Sequence, residues 1–89
     1  MNVEYLPRFL KDIKALKSTP VFAEIQSLVF QEIPNCTSLG EIRNLTKLTD
    51  YEDCYRIRVG DYRIGLLIEN DMITFARVLH RREIYRYFP

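Results

Sequence analysis

Apolar residues recur along this chain first at helical and then at strand spacing. Phe9, Leu10, Ile13 and Leu16 fall on one stripe, with Lys11, Lys14 and Lys17 between them. That is the period of a helix with one buried face. Pro7 stands where a first helical turn tolerates it, and residues 3–5 read as a short strand ahead of it. Ser18, Thr19 and Pro20 break the pattern, and Thr19-Pro20 reads as a cap and first position of a second helix. That helix carries Val21, Ile25, Leu28, Val29 and Ile33 on one stripe, and Pro34 and Asn35 end it.

From there the period shortens to two. Residues 42–48 form a candidate strand, and 54–59, 62–69 and 72–79 read as three stronger ones. Gly60-Asp61 and Asn70-Asp71 supply tight turns, so these strands pair as antiparallel hairpins. Residues 81–88 read as a short terminal helix or turn. Counting only the three stronger strands after the helices, the order is β-α-α-β-β-β with a helical tail. It predicts an α+β fold: an N-terminal helical hairpin packed on one face of a small antiparallel sheet. With 89 residues and no linker or repeat, residues 1–89 are expected to form one domain.

Alternation sorts the strand side chains. Tyr55, Ile57 and Val59 share one face and Cys54, Arg56 and Arg58 the other. Tyr62, Ile64, Leu66 and Ile68 form an apolar row opposite Arg63, Gly65, Leu67 and Glu69. With the apolar rows against the helices, Arg56, Arg58 and Arg63 collect on the open face. Like charges on neighbouring strand positions repel, a cost more readily tolerated where an anion sits among them. Alternatively they fan into solvent or pair with Glu69, Asp61 or Glu83.

Composition changes the picture in two ways. Hydrophobic residues are 47% and charged residues 28% of the chain, ordinary for a folded domain. The net charge of +1 conceals a division of basic residue types: lysine occurs at positions 11, 14, 17 and 47, but from Arg56 onward every basic residue is Arg except His80. Arg suits planar, bidentate contact with phosphate. Cys36 and Cys54 lack metal-ligand spacing, and with one histidine no zinc site or other metal or cofactor is expected. Free thiols, residues 1–10 unlike a signal peptide, and no apolar run near membrane-spanning length point to a soluble cytoplasmic protein.

A second cluster, His80, Arg81, Arg82, Glu83, Tyr85, Arg86 and Tyr87, directly follows the last strand and is placed to fold over the open face. Rings stack on bases while guanidinium groups hold phosphate, a combination suited to nucleic acid. The competing role for Tyr85, Tyr87 and Phe88 is to close the core edge. Histidine ordinarily titrates near neutrality, so His80 is a candidate proton-transfer group, although a lone histidine is more often structural.

These residues resemble a known family. The run from Asp53 to Ile64 is similar to the "YRIRVGDYRI" signature of toxins of the RelE/ParE superfamily, and Val78 to Tyr85 resembles its "HRREVY" ending. Leu45 to Leu48 is similar to the family's L-x-x-L approach to the first of these strands. The resemblance implies a RelE-like toxin of a type II toxin–antitoxin system: a metal-independent endoribonuclease that cuts mRNA in the ribosomal A site. It also implies a cognate antitoxin, with operator DNA contacted only through the antitoxin complex. Arg56 and Arg58 then match the family's basic strand residues and Arg63 its phosphate-stabilising arginine. Arg81 matches the basic residue before the tail, and Tyr85 the substrate-orienting tyrosine. Several members carry Lys where this chain has Arg56 and Arg58. Arg cannot act as a base, which leaves His80, Tyr85 or charge stabilisation alone, or a weakened nuclease. The alternatives within the superfamily are a ParE-like DNA gyrase inhibitor and a regulatory, antitoxin-binding member. Open sheet edges and an exposed Leu67 would invite the partner, expected to be acidic where it meets the arginines.

Overall fold

The structure is a computed structural model that describes residues Met1–Pro89. Its elements run β1 (Asn2–Tyr5), α1 (Pro7–Ala15), α2 (Phe22–Ser27), β2 (Leu45–Lys47), β3 (Cys54–Val59), β4 (Tyr62–Glu69), β5 (Met72–His80) and α3 (Ile84–Tyr87). The five strands form one sheet in the order β1-β5-β4-β3-β2. The β2–β3, β3–β4 and β4–β5 pairs are antiparallel, as the turns require. β1 lies parallel to β5, with Glu4 opposite Thr74, so the sheet is mixed rather than wholly antiparallel.

Both predicted hairpin turns form. Gly60 takes φ +59, while Asn70 and Asp71 take φ 49 and 66. These left-handed residues match the twist of two-residue hairpins. One element differs from expectation at its start. Thr19 does not cap α2, which begins at Phe22; its hydroxyl donates to Leu16 O at 2.7 Å and closes the preceding turn instead. α2 then widens into a π turn over Leu28–Glu32, which keeps Ile25, Val29 and Ile33 over the sheet. The strand expected over 42–48 is confined to Leu45–Lys47. Ahead of it Leu39–Glu41 makes a single 3-10 turn, closed by a reciprocal Ser38–Glu41 capping box.

Two apolar layers result. Phe9, Ile13, Leu16, Ile25, Val29 and Ile33 from the helices meet Ile57, Val59, Ile64, Leu66, Ile73, Phe75 and Val78 on one face of the sheet. On the other face Cys54 and Ala76 are covered by Ile84 and Phe88 of the tail, with Leu67 packed against them. Leu67 is therefore not the exposed apolar residue that alternation placed there. The tail can lie flat because β4 carries Gly65: a Cβ there would stand 2.5 Å from Phe88 Cδ2.

α1 is fastened to β5 where β1 has ended. Arg77 Nε and Nη2 donate to Asp12 Oδ2 and Oδ1 at 2.7 and 3.1 Å, and the Val78 amide donates to Asp12 Oδ2 at 3.1 Å. The Asp12 carboxylate thus accepts from a backbone donor that lies beyond β1's ladder. Its hydrogen bond to Arg77 holds that guanidinium above its ordinary pKa, against the opposing effect of burial.

Candidate active site

β3 and β4 position the first half of the site. Arg56 and Arg58 alternate with the buried Ile57 and Val59, so they point away from the helices. The register puts Arg63 directly opposite Arg58, and Thr46 and Gly65 on either side of Arg56. Gly65 has no side chain to fill its place on this face, and Phe88 takes the space. The tail supplies the second half. The Arg81 amide donates to Asp61 O at 2.7 Å, tying the tail to the β3–β4 turn. Arg81, Arg82 and Tyr85 thereby join Arg56, Arg58 and Arg63 around one open cleft of about 420 Å³, which Asn44 and Thr46 complete.

The cleft is strongly cationic and its geometry is fixed in part by its own backbone. Arg63 Nη1 donates to Gly60 O at 2.9 Å and to Tyr62 O at 3.0 Å, folding the guanidinium back onto the turn. Burial, followed by the charges of Arg58, Arg56 and Arg81, pushes Arg63 below its ordinary pKa, with Asp61 opposing. A guanidinium nevertheless stays charged at any physiological pH. An anion bound among these arginines would relieve the repulsion that Arg63 meets from its neighbours. The one ion pair at its rim, Arg81 Nε to Asp61 Oδ1 at 3.6 Å, joins side chains 54% and 72% exposed and holds little. Arg56 lies 5.9 Å from the centre of the Tyr85 ring, within range of a cation–π contact.

The structure brings together Arg56, Arg58, Arg63, Arg81 and Tyr85 of the residues singled out from sequence. It sets His80 apart. His80 pairs with Tyr62 and meets its ring edge-on at 5.4 Å. Two residues earlier Val78 is buried in the helix-side core, so His80 shares that face and does not line the cleft. Its Nδ1 accepts from the Arg82 amide at 3.2 Å, a structural use.

Arg82 of the tail cluster lines the cleft as well, and two cleft residues escaped sequence reasoning, Asn44 and Thr46. Asn44 adopts φ 63 and donates through Nδ2 to Arg58 O at 3.3 Å. An asparagine before a short strand is an ordinary turn signal and says nothing of a site. No three His, Cys, Asp or Glu side chains are gathered as a metal site. No helix is long and apolar enough to cross a membrane.

A small sheet under a helical hairpin, with a cationic cleft closed by its own tail, is the architecture of a toxin from a type II toxin–antitoxin system. The chain belongs to the ParE toxin family of such systems, whose sequence model matches residues 3–85. It is 40% identical over 90 residues to Toxin RelE3 of Methanocaldococcus jannaschii, with all of both chains covered. It is similar to the toxin in the crystal structure of the RelB–RelE antitoxin–toxin complex from Methanococcus jannaschii, with TM-score 0.76 and 39% identity, covering 96% of this chain and 98% of that one. A match to the Escherichia coli DinJ–YafQ complex, with TM-score 0.73, 17% identity and 94% and 97% coverage, shows the shared fold.

Proposed function

We propose that this toxin, acting in the cytoplasm as a single domain of residues 1–89, is a metal-independent endoribonuclease that cuts mRNA in the ribosomal A site. The observation that carries this reading is the convergence of Arg56, Arg58, Arg63, Arg81 and Arg82 on one cleft beside the exposed ring of Tyr85. In the reaction the ribose 2′-oxygen attacks the neighbouring phosphorus as the bond from phosphorus to the 5′-oxygen breaks. The products are a 2′,3′-cyclic phosphate and a free 5′-hydroxyl. Negative charge gathers on the phosphorane oxygens, and guanidinium groups already held in place stabilise it without rearrangement. Arg63 is the best fixed of them, through its two hydrogen bonds to the turn. Tyr85 orients the nucleotide beside the phosphate.

No arginine serves as general base, and His80 lies outside the cleft. The Tyr85 hydroxyl is the remaining protein group for proton transfer, and otherwise the reaction relies on charge stabilisation alone. The partner is a cognate antitoxin, as in the RelB–RelE complex of the archaeal relative. It would cover the arginine cleft with acidic side chains, and the pair would reach operator DNA through the antitoxin.

Mapping RNA ends after brief induction tests the reading: new ends inside translated codons are expected, and toxicity without them refutes it. The ParE name of the matching family favours a second reading, inhibition of DNA gyrase by binding. Clear inhibition of purified gyrase in a supercoiling assay would put that reading first. A third, a weakened member that only binds antitoxin, is eliminated by full toxicity on plates.

A further inference from the structure

The turn ahead of β2 brings one more polar group to the arginine cleft. Leu45 pairs with Ile57, so Asn44 falls beside Arg58, which itself stands opposite Arg63. Buried Ile42 fixes the chain on one side of Asn44 and the β2–β3 ladder fixes it on the other. Asn44 lies exposed between them in a left-handed conformation, φ 63, which asparagine adopts more readily than most residues. Its amide is oriented: Nδ2 donates to Arg58 O at 3.3 Å, and Oδ1 is the end left over. The rest of the lining is rich in donors. Arg56, Arg58, Arg63, Arg81 and Arg82 carry N–H groups and no acceptor. Thr46 and Tyr85 add hydroxyls, which turn to donate or to accept as a neighbour demands. Asn44 Oδ1 is the one side-chain atom lining the cleft that only accepts.

We propose that Asn44 recognises the sugar: its Oδ1 accepts a hydrogen bond from the ribose 2′-hydroxyl of the nucleotide whose phosphate the arginines hold. The inference rests on the ribonuclease reading and deepens it. Arginines grip a phosphate of RNA or DNA alike, whereas the 2′-hydroxyl is what tells the two apart. The attacking 2′-oxygen must also keep a lone pair free for phosphorus. Five arginines compete for those lone pairs, and an acceptor that takes the hydroxyl's hydrogen turns them away from the acceptor and towards the phosphate. Asn44 takes up no proton, because an amide is no base. As the 2′-oxygen bonds to phosphorus its proton passes to water, and the 5′-oxygen leaves with the electron pair of its broken bond and is protonated by water. Nδ2 is bonded to the backbone of Arg58, so the same β2–β3 pairing sets the sugar contact and the phosphate contact. Asn44 is therefore a specificity-determining residue for ribose, contributed by the turn before β2.

The test is cleavage of mRNA on programmed ribosomes by the full chain as wild type, Asn44→Gly and Asn44→Asp. Glycine keeps φ 63 without strain and removes the whole amide. Aspartate keeps an acceptor and loses the donor to Arg58 O. Asn44→Gly should lower kcat/KM by roughly 3- to 10-fold, the worth of one neutral hydrogen bond. Asn44→Asp should stay within about twofold of wild type, since a carboxylate accepts at least as well as an amide. A role confined to bracing Arg58 gives equal losses in both variants, and that result would overturn the proposal. The second readout is the binding of two uncleaved mRNAs that compete with the substrate, one with a 2′-amino and one with a 2′-deoxy group at the scissile nucleotide. The amino group can donate a hydrogen bond and the deoxy position cannot. Wild type and Asn44→Asp should prefer the 2′-amino RNA by roughly 3- to 10-fold, and Asn44→Gly should not distinguish the two. An undiminished preference in Asn44→Gly would overturn the proposal, as would unimpaired cleavage by that variant. In either case cleavage by wild type leaves the ribonuclease reading standing. If wild type makes no cut, the two fall together.

Discussion

Replacing Arg63 by Ala separates the cleft's chemistry from the fold's stability. The folded state loses two hydrogen bonds, from Arg63 Nη1 to Gly60 O and Tyr62 O. At a half-exposed turn each contributes about 1 kcal/mol or less. Against that, Arg58, Arg56 and Arg81 lose a cation that they repel. The net change should stay within about 1 kcal/mol, a melting shift of no more than roughly 8 °C for a chain of this size. In the proposed reaction the charge that Arg63 would present to the phosphorane has no substitute with the same anchoring. Its loss should slow single-turnover cleavage on programmed ribosomes by about 10²- to 10³-fold, the usual consequence of removing one preorganised donor. Arg63→Lys keeps the charge but not the planar fork, and should fall between the two. Thermal unfolding and the cleavage rate, measured on the same samples, decide the matter. A folded Arg63→Ala variant that cleaves within threefold of wild type refutes the assigned role. A variant destabilised by more than about 3 kcal/mol refutes the view that this guanidinium is free for chemistry.

Gly65→Ala should destabilise the chain by about 2 kcal/mol in urea unfolding, because the new Cβ displaces the Phe88 ring and exposes its apolar surface. The same variant should lose cleavage activity as Tyr85 moves with the tail. Asp12→Ala should cost about 3 kcal/mol in the same assay: it strands Arg77, 14% exposed, and leaves the Val78 amide unpaired. Its effect on cleavage by the folded fraction should be small, and a selective loss of catalysis would contradict the structural role. His80→Gln should leave cleavage within about threefold of wild type; a hundredfold loss would restore histidine as the proton-transfer group.

The faces of β3 and β4 were readable from alternation alone, since Ile57, Val59, Ile64 and Leu66 all enter the helix-side core while Arg56, Arg58 and Arg63 do not. Strand period carries that information locally. The parallel pairing of β1 was not readable, because Glu4 and Thr74 meet across most of the chain and no turn signal announces it. β5 hid more. Its ladder steps from Gly65–Arg77 to Leu66–Phe75, leaving Ala76 as an extra residue. That bulge breaks the alternation from which the direction of Arg77 would be inferred, and Arg77 pairs with Asp12 instead of joining the cleft. In the tail, Phe88 closes the second apolar layer as one reading of the sequence had it, while Tyr85 stays at the cleft. Choosing between those fates needed Gly65, whose missing side chain makes room for the Phe88 ring.

The proposed activity is an RNA cut made by arginines at a single phosphate. The most direct measurement is to incubate the purified toxin with ribosomes carrying a defined codon in the A site, and to identify both new RNA ends. A 2′,3′-cyclic phosphate and a 5′-hydroxyl within that codon, formed in the presence of a chelator and absent with Arg63→Ala, are the predicted result. Intact mRNA alongside arrested gyrase, or ends bearing a 5′-phosphate, would contradict it.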